Sequence, residues 1–186
     1  MHPLVYKIAL TQIPNIGPVL AKNLLSYCGS AEAVFKQKES KLLKIPGIGS
    51  KYAKAIISFT DFSKAEKEVA FIQKNNIDVL FFSDAGYPQH LKQINDCPLL
   101  LYTKGDFSFN RNKMVGIVGT RNATQQGKEI CELIVKDLKK YNCTIVSGLA
   151  YGIDITAHKA AVENNMPTVA ILAHGLDIIY PAQNKN

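Results

Sequence analysis

The sequence feature that most constrains the fold is an alternation of short apolar runs and helical patterns that begins at Met114. The apolar runs lie at 115–118, 144–146 and 168–172, and the helical patterns at about 125–141 and 153–164. Short buried strands joined by helices form parallel sheets with right-handed crossovers. We therefore predict a Rossmann-like parallel sheet domain over residues 111–186. We expect it to be incomplete at the C-terminus, because a doubly wound sheet of three or four strands leaves an apolar edge open.

The first helical pattern of this region has apolar residues at the spacing of a single helix face. These residues are Ile130, Leu133, Ile134 and Leu138. Side chains three and four positions apart lie on the same side of a helix, so we predict that these four form its apolar face.

A short motif occurs twice near the N-terminus. Residues 13–18, Ile-Pro-Asn-Ile-Gly-Pro, are echoed by residues 45–50, Ile-Pro-Gly-Ile-Gly-Ser, and each copy precedes a helical pattern. The arrangement has the form of a helix–hairpin–helix, so we predict a helical, SAM-like helix-hairpin-helix domain over residues 1–60. The turns need residues that tolerate positive φ, which we expect at the following Gly and Asn positions: Asn15, Gly17, Gly47 and Gly49.

The hairpin turns are also suited to a phosphate group. Backbone N–H groups at the start of the following helix point outward, and the helix dipole favours an anion there. The second copy has both glycines and is the better candidate, so we predict hairpin DNA contacts at Gly47, Gly49 and Lys51, with added charge from Lys22 and Lys54. The alternative is that the two hairpins only pack against each other.

Residues 61–110 are predicted to connect the two domains through a helix and short strands. Asp61 precedes a helical pattern that continues to Lys74, and it is placed to cap that helix. Apolar runs at 77–82 and 99–102 predict two strands, with turn residues at 84–88 between them. The expected class of the whole chain is therefore α/β, with a helical domain ahead of a parallel sheet domain.

The loop after the first strand of the sheet domain contains Gly119, Thr120 and Arg121. It is not a P-loop, because Asn122 and Glu129 stand where that motif needs Gly and Ser or Thr, and the G-x-G-x-x-G fingerprint is missing. Backbone donors, a hydroxyl and a planar guanidinium below a helix N-terminus form a phosphate site. We therefore predict anion binding here. The alternative is a loop whose arginine pairs with a surface acid.

The loop after the second strand adds Ser147, Gly148 and Gly152 to the predicted phosphate site, because glycine permits close approach of a backbone. Asp154 is placed to cap the next helix, and His158 lies on the same helical face. We predict that both support the pocket, since a capping Asp that orients a His is commoner than a catalytic pair. No further ligands are near in sequence, so we predict no metal, no cofactor and no catalytic residue.

The third strand is followed by a loop that extends from Ala173 to Lys185. Asn184 and Lys185 are predicted to close the phosphate site from this strand end. Tyr180 is a candidate for stacking on a base, and equally a candidate core aromatic ahead of a rigid proline turn.

Charge and composition agree with a polyanionic partner without specifying one. The 186 residues carry 22 basic and 15 acidic side chains, a net charge of +7 that is spread over both halves. The four cysteines form no C-x-x-C pair, which argues against zinc or a disulfide framework and indicates buried thiols in a reducing compartment. No run reaches the ~18 apolar residues of a membrane span, so we expect a cytoplasmic protein without membrane association.

Three loop motifs together resemble the DNA-processing protein A (DprA/Smf) family. They are Gly-Ile-Val-Gly-Thr-Arg at 116–121, Ser-Gly-Leu-Ala-x-Gly-Ile-Asp-x-x-Ala-His at 147–158, and Gly-Leu-Asp-x-x-Tyr-Pro-x-x-Asn at 175–184. Their order and spacing agree with the family, and residues 84–105 are similar to its lead-in segment. The resemblance therefore covers nearly the whole chain.

The resemblance implies an extended Rossmann domain whose strand-end pocket binds single-stranded DNA, with Arg121 as the central phosphate ligand. It implies a protein without enzymatic activity that protects incoming DNA during natural transformation and recombination. Such a protein also helps to load the RecA recombinase and forms a homodimer at full length. Tyr151 stands where many members carry Arg or Lys, and Asn15 replaces the first hairpin glycine. The family continues beyond Asn184 with segments that are linked to dimer and recombinase contacts.

Two other interpretations remain open at this stage. A nucleotide-binding Rossmann enzyme that hydrolyses N-glycosidic bonds would need a P-G-G-x-G-T loop with acids nearby, and the sequence shows no such loop. A structural or adaptor fragment would need no binding site. The three loops favour a sequence-tolerant module that binds single strands by phosphate contacts and stacking.

Overall fold

A computed structural model describes residues 1–110 and 113–178, and the chain divides into two compact units, Met1–Asn110 and Arg111–Asn186. The described elements of the first unit are α1 (Pro3–Gln12), α2 (Pro18–Cys28), α3 (Ala31–Phe35), α4 (Glu39–Leu42), α5 (Ser50–Ile57), α6 (Ser63–Lys74), β1 (Asp78–Phe81), α7 (Gln89–Lys92) and β2 (Leu100–Thr103). Those of the second unit are β3 (Lys113–Gly116), α8 (Gln125–Leu138), a 3₁₀ turn (Lys139–Tyr141), β4 (Cys143–Ser147), α9 (Ile153–Glu163) and β5 (Thr168–Ala170).

The two repeated motifs form the turns that precede α2 and α5. Their isoleucines are all buried: Ile13, Ile16, Ile45 and Ile48. The repeat therefore anchors each turn in the helical core while its glycines and asparagine shape the backbone. The first unit thus contains the predicted tandem of helix–hairpin–helix motifs.

The backbone of the hairpin turns agrees with the prediction at two of four positions. φ is 66° at Asn15 and 81° at Gly47, in the left-handed region that Asn and Gly tolerate. The prediction was wrong for Gly17 and Gly49, whose φ angles are −83° and −86°. Each of these is the N-cap residue of the following helix, and an N-cap has extended backbone.

Residues 61–110 pack within the first unit. The Asp61 carboxylate accepts a hydrogen bond from the Ser63 N–H at 2.9 Å, so it satisfies the first N–H of α6 from one position ahead of the N-cap. Strands β1 and β2 pair antiparallel, with Phe81 opposite Leu100, in a sheet of their own. The turn between them is held by the buried Tyr87, whose hydroxyl donates to the Pro98 carbonyl oxygen at 2.6 Å.

The second unit is a parallel sheet with the strand order β3-β4-β5, and its helices are the crossovers between the strands. Val115 lies opposite Ile145, and Ile145 lies opposite Thr168. The core between sheet and helices combines the buried residues Cys131, Val135, Cys143, Ile145, Ala157, Ala160, Ala161 and Met166. The predicted class, a helix-hairpin-helix domain followed by a Rossmann-like parallel sheet, is confirmed.

The buried side of α8 differs from the predicted apolar face. Of the predicted residues only Leu138 packs against the core, whereas Ile130, Leu133 and Ile134 are 50%, 63% and 50% exposed. Cys131 and Val135 take the core positions instead. Apolar residues extend around more than one side of this helix, so their spacing alone did not decide which side meets the sheet.

Candidate nucleic-acid interface

The carboxyl ends of β3, β4 and β5 lie along one edge of the parallel sheet, where open α/β folds bind ligands. We name the following segments loop 1 (117–124), loop 2 (148–152) and loop 3 (171–178). The predicted phosphate ligands that the structure describes come from loop 1, loop 2 and the strand end at Ser147. Tyr180, Asn184 and Lys185 lie outside the described residues.

Ser147 joins the bases of all three loops. Its hydroxyl donates to the Ile117 carbonyl oxygen at 2.6 Å, and its own carbonyl oxygen accepts from the Ile171 N–H at 2.8 Å. The residue is 3% exposed. The structure therefore places the predicted phosphate ligand beneath the surface, as a link between adjacent strand ends.

Asp154 clamps loop 1 to loop 2. One carboxylate oxygen, Oδ1, accepts from the Gly119 N–H at 3.3 Å, and the other, Oδ2, accepts from the Gly148 N–H at 3.2 Å. The N-cap of α9 is Gly152, and no side chain caps that helix, so the predicted capping role of Asp154 was wrong. The carboxylate turns to the loops because Asp154 lies inside the first helical turn, directly below them.

Two glycines allow the backbone of loop 1 to cross the N-terminus of α9. A Cβ atom on Gly119 would lie 2.7 Å from the Ile153 side chain. A Cβ atom on Gly152, where φ is 79°, would overlap the carbonyl oxygens of Thr120 and Arg121. The Thr120 carbonyl oxygen accepts from the Ile153 N–H at 3.2 Å. The Ile153 N–H, the first of α9, is therefore occupied by a hydrogen bond to loop 1.

Thr120 and Arg121 are exposed at the front of loop 1, beside the start of α8. The Thr120 hydroxyl accepts from the Asn122 N–H at 3.2 Å, and Thr124 caps α8 by accepting from the Gly127 N–H. The N–H groups in the first helical turn have no acceptor within the helix. Within residues 1–110 and 113–178, no acid forms an ion pair with Arg121, so the guanidinium is not neutralised by a described surface acid.

His158 is a buried part of the support beneath the loops. Its Nδ1 lies 2.6 Å from the Thr168 hydroxyl, which donates to the Ile145 carbonyl oxygen at 3.0 Å. The imidazole therefore donates from Nδ1 to Thr168. Its Nε2 is buried without a hydrogen-bond partner among the described residues. Burial lowers the pKa of His158, and the nearby Asp154 carboxylate opposes this shift.

Two residues of this support have no signal in the sequence. Thr168 is a strand residue whose contact with the imidazole depends on how β5 meets α9. Leu149 in loop 2 has a φ of 60°, which is uncommon for a residue with a branched side chain and costs about 1 kcal/mol. A strained position of this kind is held in place by its surroundings, here by the clamped loops on either side.

The hairpin contacts predicted in the first unit surround the start of α5. Gly49 is the N-cap of that helix, and Lys51 is exposed in its first turn. Pro18 occupies the matching first position of α2 and has no N–H, so the second hairpin presents more backbone donors. Lys22 is already engaged, because its Nζ donates to the Asn95 carbonyl oxygen at 2.8 Å and contacts the Cys97 sulfur at 3.0 Å.

Neither a membrane-spanning helix nor a cluster of metal ligands occurs among the described residues. No helix in that part of the chain is long and apolar enough to cross a membrane. No three His, Cys, Asp or Glu side chains in the same residues gather as a metal site.

Two family models match the chain. One, described as a SAM-like helix-hairpin-helix tandem, matches residues 7–60. The other, described as DNA recombination-mediator protein A, matches residues 78–186. Together they cover the hairpin tandem and the whole strand-end region.

Curated relatives and a solved structure agree with these models. Protein Smf from Synechocystis sp. is 35% identical over 184 residues, which cover 97% of this chain and 46% of that protein. DNA processing protein DprA from Bacillus subtilis is 36% identical over 124 residues, which cover 66% of this chain and 42% of that protein. The X-ray structure of DprA from Streptococcus pneumoniae has a TM-score of 0.77 at 29% identity, and the match covers 100% of this chain and 63% of that one.

The chain spans about half the length of the curated relatives it matches. The resemblance inferred from the three loop motifs is confirmed, because one family model covers more than half of the chain and a 35% identical relative matches nearly all of it. The chain belongs to the DNA recombination-mediator protein A family.

Proposed function

We propose that the second unit binds single-stranded DNA through its strand-end loops, as part of a DNA-processing protein of natural transformation and recombination. The observation that carries this proposal is the exposed Arg121 guanidinium on a rigidly held loop beside the N-terminus of α8. A guanidinium fork and a helix N-terminus both recognise phosphate oxygens. Contacts of this type read the backbone of a nucleic acid, so binding tolerates any base sequence.

Each proposed site residue has a role that its position supports. Thr120 and Arg121 are exposed and provide the donors of the proposed phosphate-binding surface. Gly119 and Gly148, which are also exposed, are proposed to line that surface by allowing close approach of the strand, because their N–H groups already donate to Asp154. Gly152 permits the close passage of loop 1, and Ser147, Asp154 and His158 hold the loops from below. Asn184 and Lys185 are proposed as further phosphate ligands and Tyr180 as a base-stacking residue.

A second contact is proposed at the hairpin turn of α5, with Gly47, Gly49 and Lys51. Gly47 provides the left-handed turn, and the first-turn N–H groups of α5 lack intrahelical acceptors. The exposed Lys51 adds a positive charge at the same helix end. The residues of this contact belong to the other compact unit, so substitutions there leave the residues of the strand-end loops unchanged.

The family resemblance supports three further proposals for the full-length protein. It forms a homodimer, it loads the RecA recombinase onto the bound strand, and it acts in the cytoplasm by binding without catalysis. Two contacts favour binding over an N-glycosidic hydrolase: the Asp154 carboxylate accepts two backbone N–H groups, and the His158 imidazole is buried against Thr168. Neither group faces a substrate as a general acid or base.

The test is the affinity of a fluorescently labelled single-stranded oligonucleotide, measured by anisotropy over a salt series. Arg121→Ala should weaken binding by about 10-fold or more, since hydrogen bonds to charged groups contribute about 1.5–3 kcal/mol. The dependence of log K on log salt should also become shallower by about one phosphate contact. Arg121→Lys should recover only part of the loss, because it keeps the charge but not the fork.

Lys159→Ala is the matched control, because Lys159 is an exposed cation in the same unit, well inside α9. It should leave affinity nearly unchanged, and circular dichroism should show that both variants are folded. Lys51→Ala tests the hairpin contact separately and should reduce the salt slope without abolishing binding. Full affinity of the folded Arg121→Ala variant would refute the strand-end site.

A further inference from the structure

Lys22 and Cys97 form a close polar contact inside the first unit, between two segments that are far apart in sequence. The Lys22 Nζ donates to the Cys97 sulfur at 3.0 Å across a separation of 75 positions. A second hydrogen bond, from the same Nζ to the Asn95 carbonyl oxygen at 2.8 Å, fixes the flexible lysine in this position. The Cys97 N–H donates to the Ile94 carbonyl oxygen at 3.1 Å, so a backbone turn fixes the cysteine as well. The nitrogen and the sulfur are therefore held next to each other.

Tyr87 is the third polar side chain at this place, and it is already occupied. Its hydroxyl is buried and donates to the Pro98 carbonyl oxygen at 2.6 Å. Burial, followed by the neighbouring Cys97 thiol, raises the pKa of the Tyr87 hydroxyl, so this group stays protonated. A protonated phenol that donates to a carbonyl is a poor nucleophile. The nucleophile available next to the Cys97 sulfur is therefore the Lys22 nitrogen.

A cavity gives small solutes a route to this pair. Lys22 is half-buried and lines a cavity of about 530 Å³, whose other lining residues include Asn23, Ser26 and Ser30. Cys97 is 3% exposed and contacts Lys22 directly. Hydrogen peroxide is not much larger than water, so it can enter this cavity and reach the sulfur past the lysine side chain. Burial of the sulfur makes this reaction slow.

The contact is arranged for an oxidative condensation. Peroxides oxidise a cysteine sulfur to a sulfenic acid, and a sulfenic acid condenses with a nearby nitrogen to a sulfenamide. Reacting atoms about 3–3.5 Å apart are in near-attack geometry, and Nζ and Sγ are 3.0 Å apart. The amine should therefore capture the sulfenic acid before a second peroxide oxidises it further.

The two steps balance with one molecule of hydrogen peroxide. In the first, the sulfur loses two electrons, the peroxide O–O bond breaks, an S–O bond forms and one oxygen leaves as water. In the second, the nitrogen attacks the sulfur, an N–S bond forms, the S–O bond breaks and the hydroxyl leaves as a second water. Of the three Nζ protons, one goes to the solvent, one leaves in the second water and one stays on the linking nitrogen.

We propose that Lys22 and Cys97 form a covalent sulfenamide cross-link when a peroxide oxidises the protein. The link joins α2 to the segment ahead of β2 within the first unit, and thiol reductants reverse it. It spans 75 positions and restricts the unfolded chain, so the cross-linked protein should also unfold at a higher urea concentration. The proposal does not depend on the proposed DNA contacts.

The test is mass spectrometry of the full 186-residue chain with Cys28→Ser, which removes the partly exposed thiol as a disulfide partner. Treatment with hydrogen peroxide should lower the mass by two hydrogens, and dithiothreitol should restore it. Trypsin does not cleave after a modified lysine, so the digest should contain residues 8–36 joined to residues 93–104.

Lys22→Arg separates oxidation of the sulfur from formation of the link. The guanidinium keeps the positive charge beside Cys97, but it stays protonated and does not attack the sulfur. Oxidation should then stop at the sulfenic acid, which dimedone captures at Cys97, whereas the parent should give little of this adduct. Lys7→Arg is the matched control, because Lys7 is a half-buried lysine that lines the same cavity, and it should cross-link like the parent.

Three results would overturn the proposal, provided that circular dichroism shows each variant to be folded. The first is a loss of two hydrogens in Lys22→Arg that equals the loss in the parent. The second is a Cys97 that gains oxygen while trypsin still cleaves after Lys22. The third is a Cys97 that stays unmodified at peroxide concentrations that fully oxidise Cys28 in the chain that retains it.

Discussion

At the scale of single residues, the candidate site depends on a buried carboxylate. Asp154 is 7% exposed and accepts N–H groups from Gly119 in loop 1 and Gly148 in loop 2. A carboxylate is tolerated away from water where such donors satisfy it. Because the two donors belong to different loops, one side chain sets the distance between them. The residue that positions the anion site is therefore distinct from the residues proposed to touch the anion.

Replacing Asp154 tests this clamp. Asp154→Ala should lower the free energy of unfolding by about 1–3 kcal/mol, because the N–H groups of Gly119 and Gly148 lose their acceptor. Urea denaturation measures the change. Glu163→Ala is the control, since Glu163 is an exposed acid near the end of the same helix, and it should stay within about 0.5 kcal/mol of the parent. Equal effects of both substitutions would contradict the clamp.

His158 should make the stability of the protein depend on pH. Burial lowers the pKa of its imidazole below the ordinary 6.5, so the unfolded chain binds this proton more readily than the folded chain. The free energy of unfolding should therefore be highest above pH ~6.5, where the imidazole is neutral in both states, and should decrease as the pH falls below that value. Urea denaturation between pH 8 and 5 measures the trend.

His158→Asn should remove this part of the pH dependence while keeping a side-chain donor near Thr168. The exposed His90 offers the control, and His90→Asn should leave the pH profile unchanged. A profile that is the same in His158→Asn as in the parent would show that another group controls it.

At the scale of elements, each hairpin turn contains two residues of similar type that adopt different backbone conformations. Gly47 is left-handed with a φ of 81°, whereas Gly49, two residues on, is an extended N-cap. The same division separates Asn15 from Gly17 in the first hairpin. Only the first turn residue therefore needs glycine or asparagine for its φ angle, and this explains why Asn15 is accepted in place of glycine.

Alanine substitutions in the second hairpin should separate these roles. Gly47→Ala should destabilise the protein by about 1–2 kcal/mol, because alanine is strained at positive φ and its Cβ would lie 3.2 Å from the Leu20 side chain. Gly49→Ala should cost less, since its backbone is extended and no atom lies within 4 Å of the added Cβ. Urea denaturation of both variants decides the order. A larger loss for Gly49→Ala would contradict the assigned geometry.

At the scale of the whole molecule, each compact unit contains buried cysteines that form no disulfide. Cys97 is buried in the first unit, and Cys131 and Cys143 are buried in the second. Cys28 is partly exposed, and burial raises the pKa of its thiol. All four cysteines are free.

Thiol accessibility therefore reports on both units together. A thiol-reactive chromogenic disulfide should modify at most Cys28 rapidly in the native chain, and all four thiols after denaturation, because modification needs an accessible thiolate. The absorbance at early times in native buffer, compared with that in denaturant, measures the difference. Rapid reaction of several thiols in native buffer would show that one of the units opens readily.

The sequence by itself determined the order of helices and strands, the repeated hairpins and the loop motifs that identify the family. These features are local, because strand and helix spacing and turn chemistry depend on residues a few positions apart. Boundaries shifted slightly, as at β3, which the apolar run placed at 115–118 and the structure places at Lys113–Gly116.

Only the tertiary structure decided how the residues of the site are used. Asp154 holds two loops instead of capping its helix, Ser147 links strand ends beneath the surface, and the α8 core positions belong to Cys131 and Val135. These outcomes depend on which backbone groups the crossovers bring next to each side chain. From the sequence alone, a polar side chain such as Asp154 has several possible hydrogen-bond partners. The packing of α8 and α9 on the sheet selects one set of them.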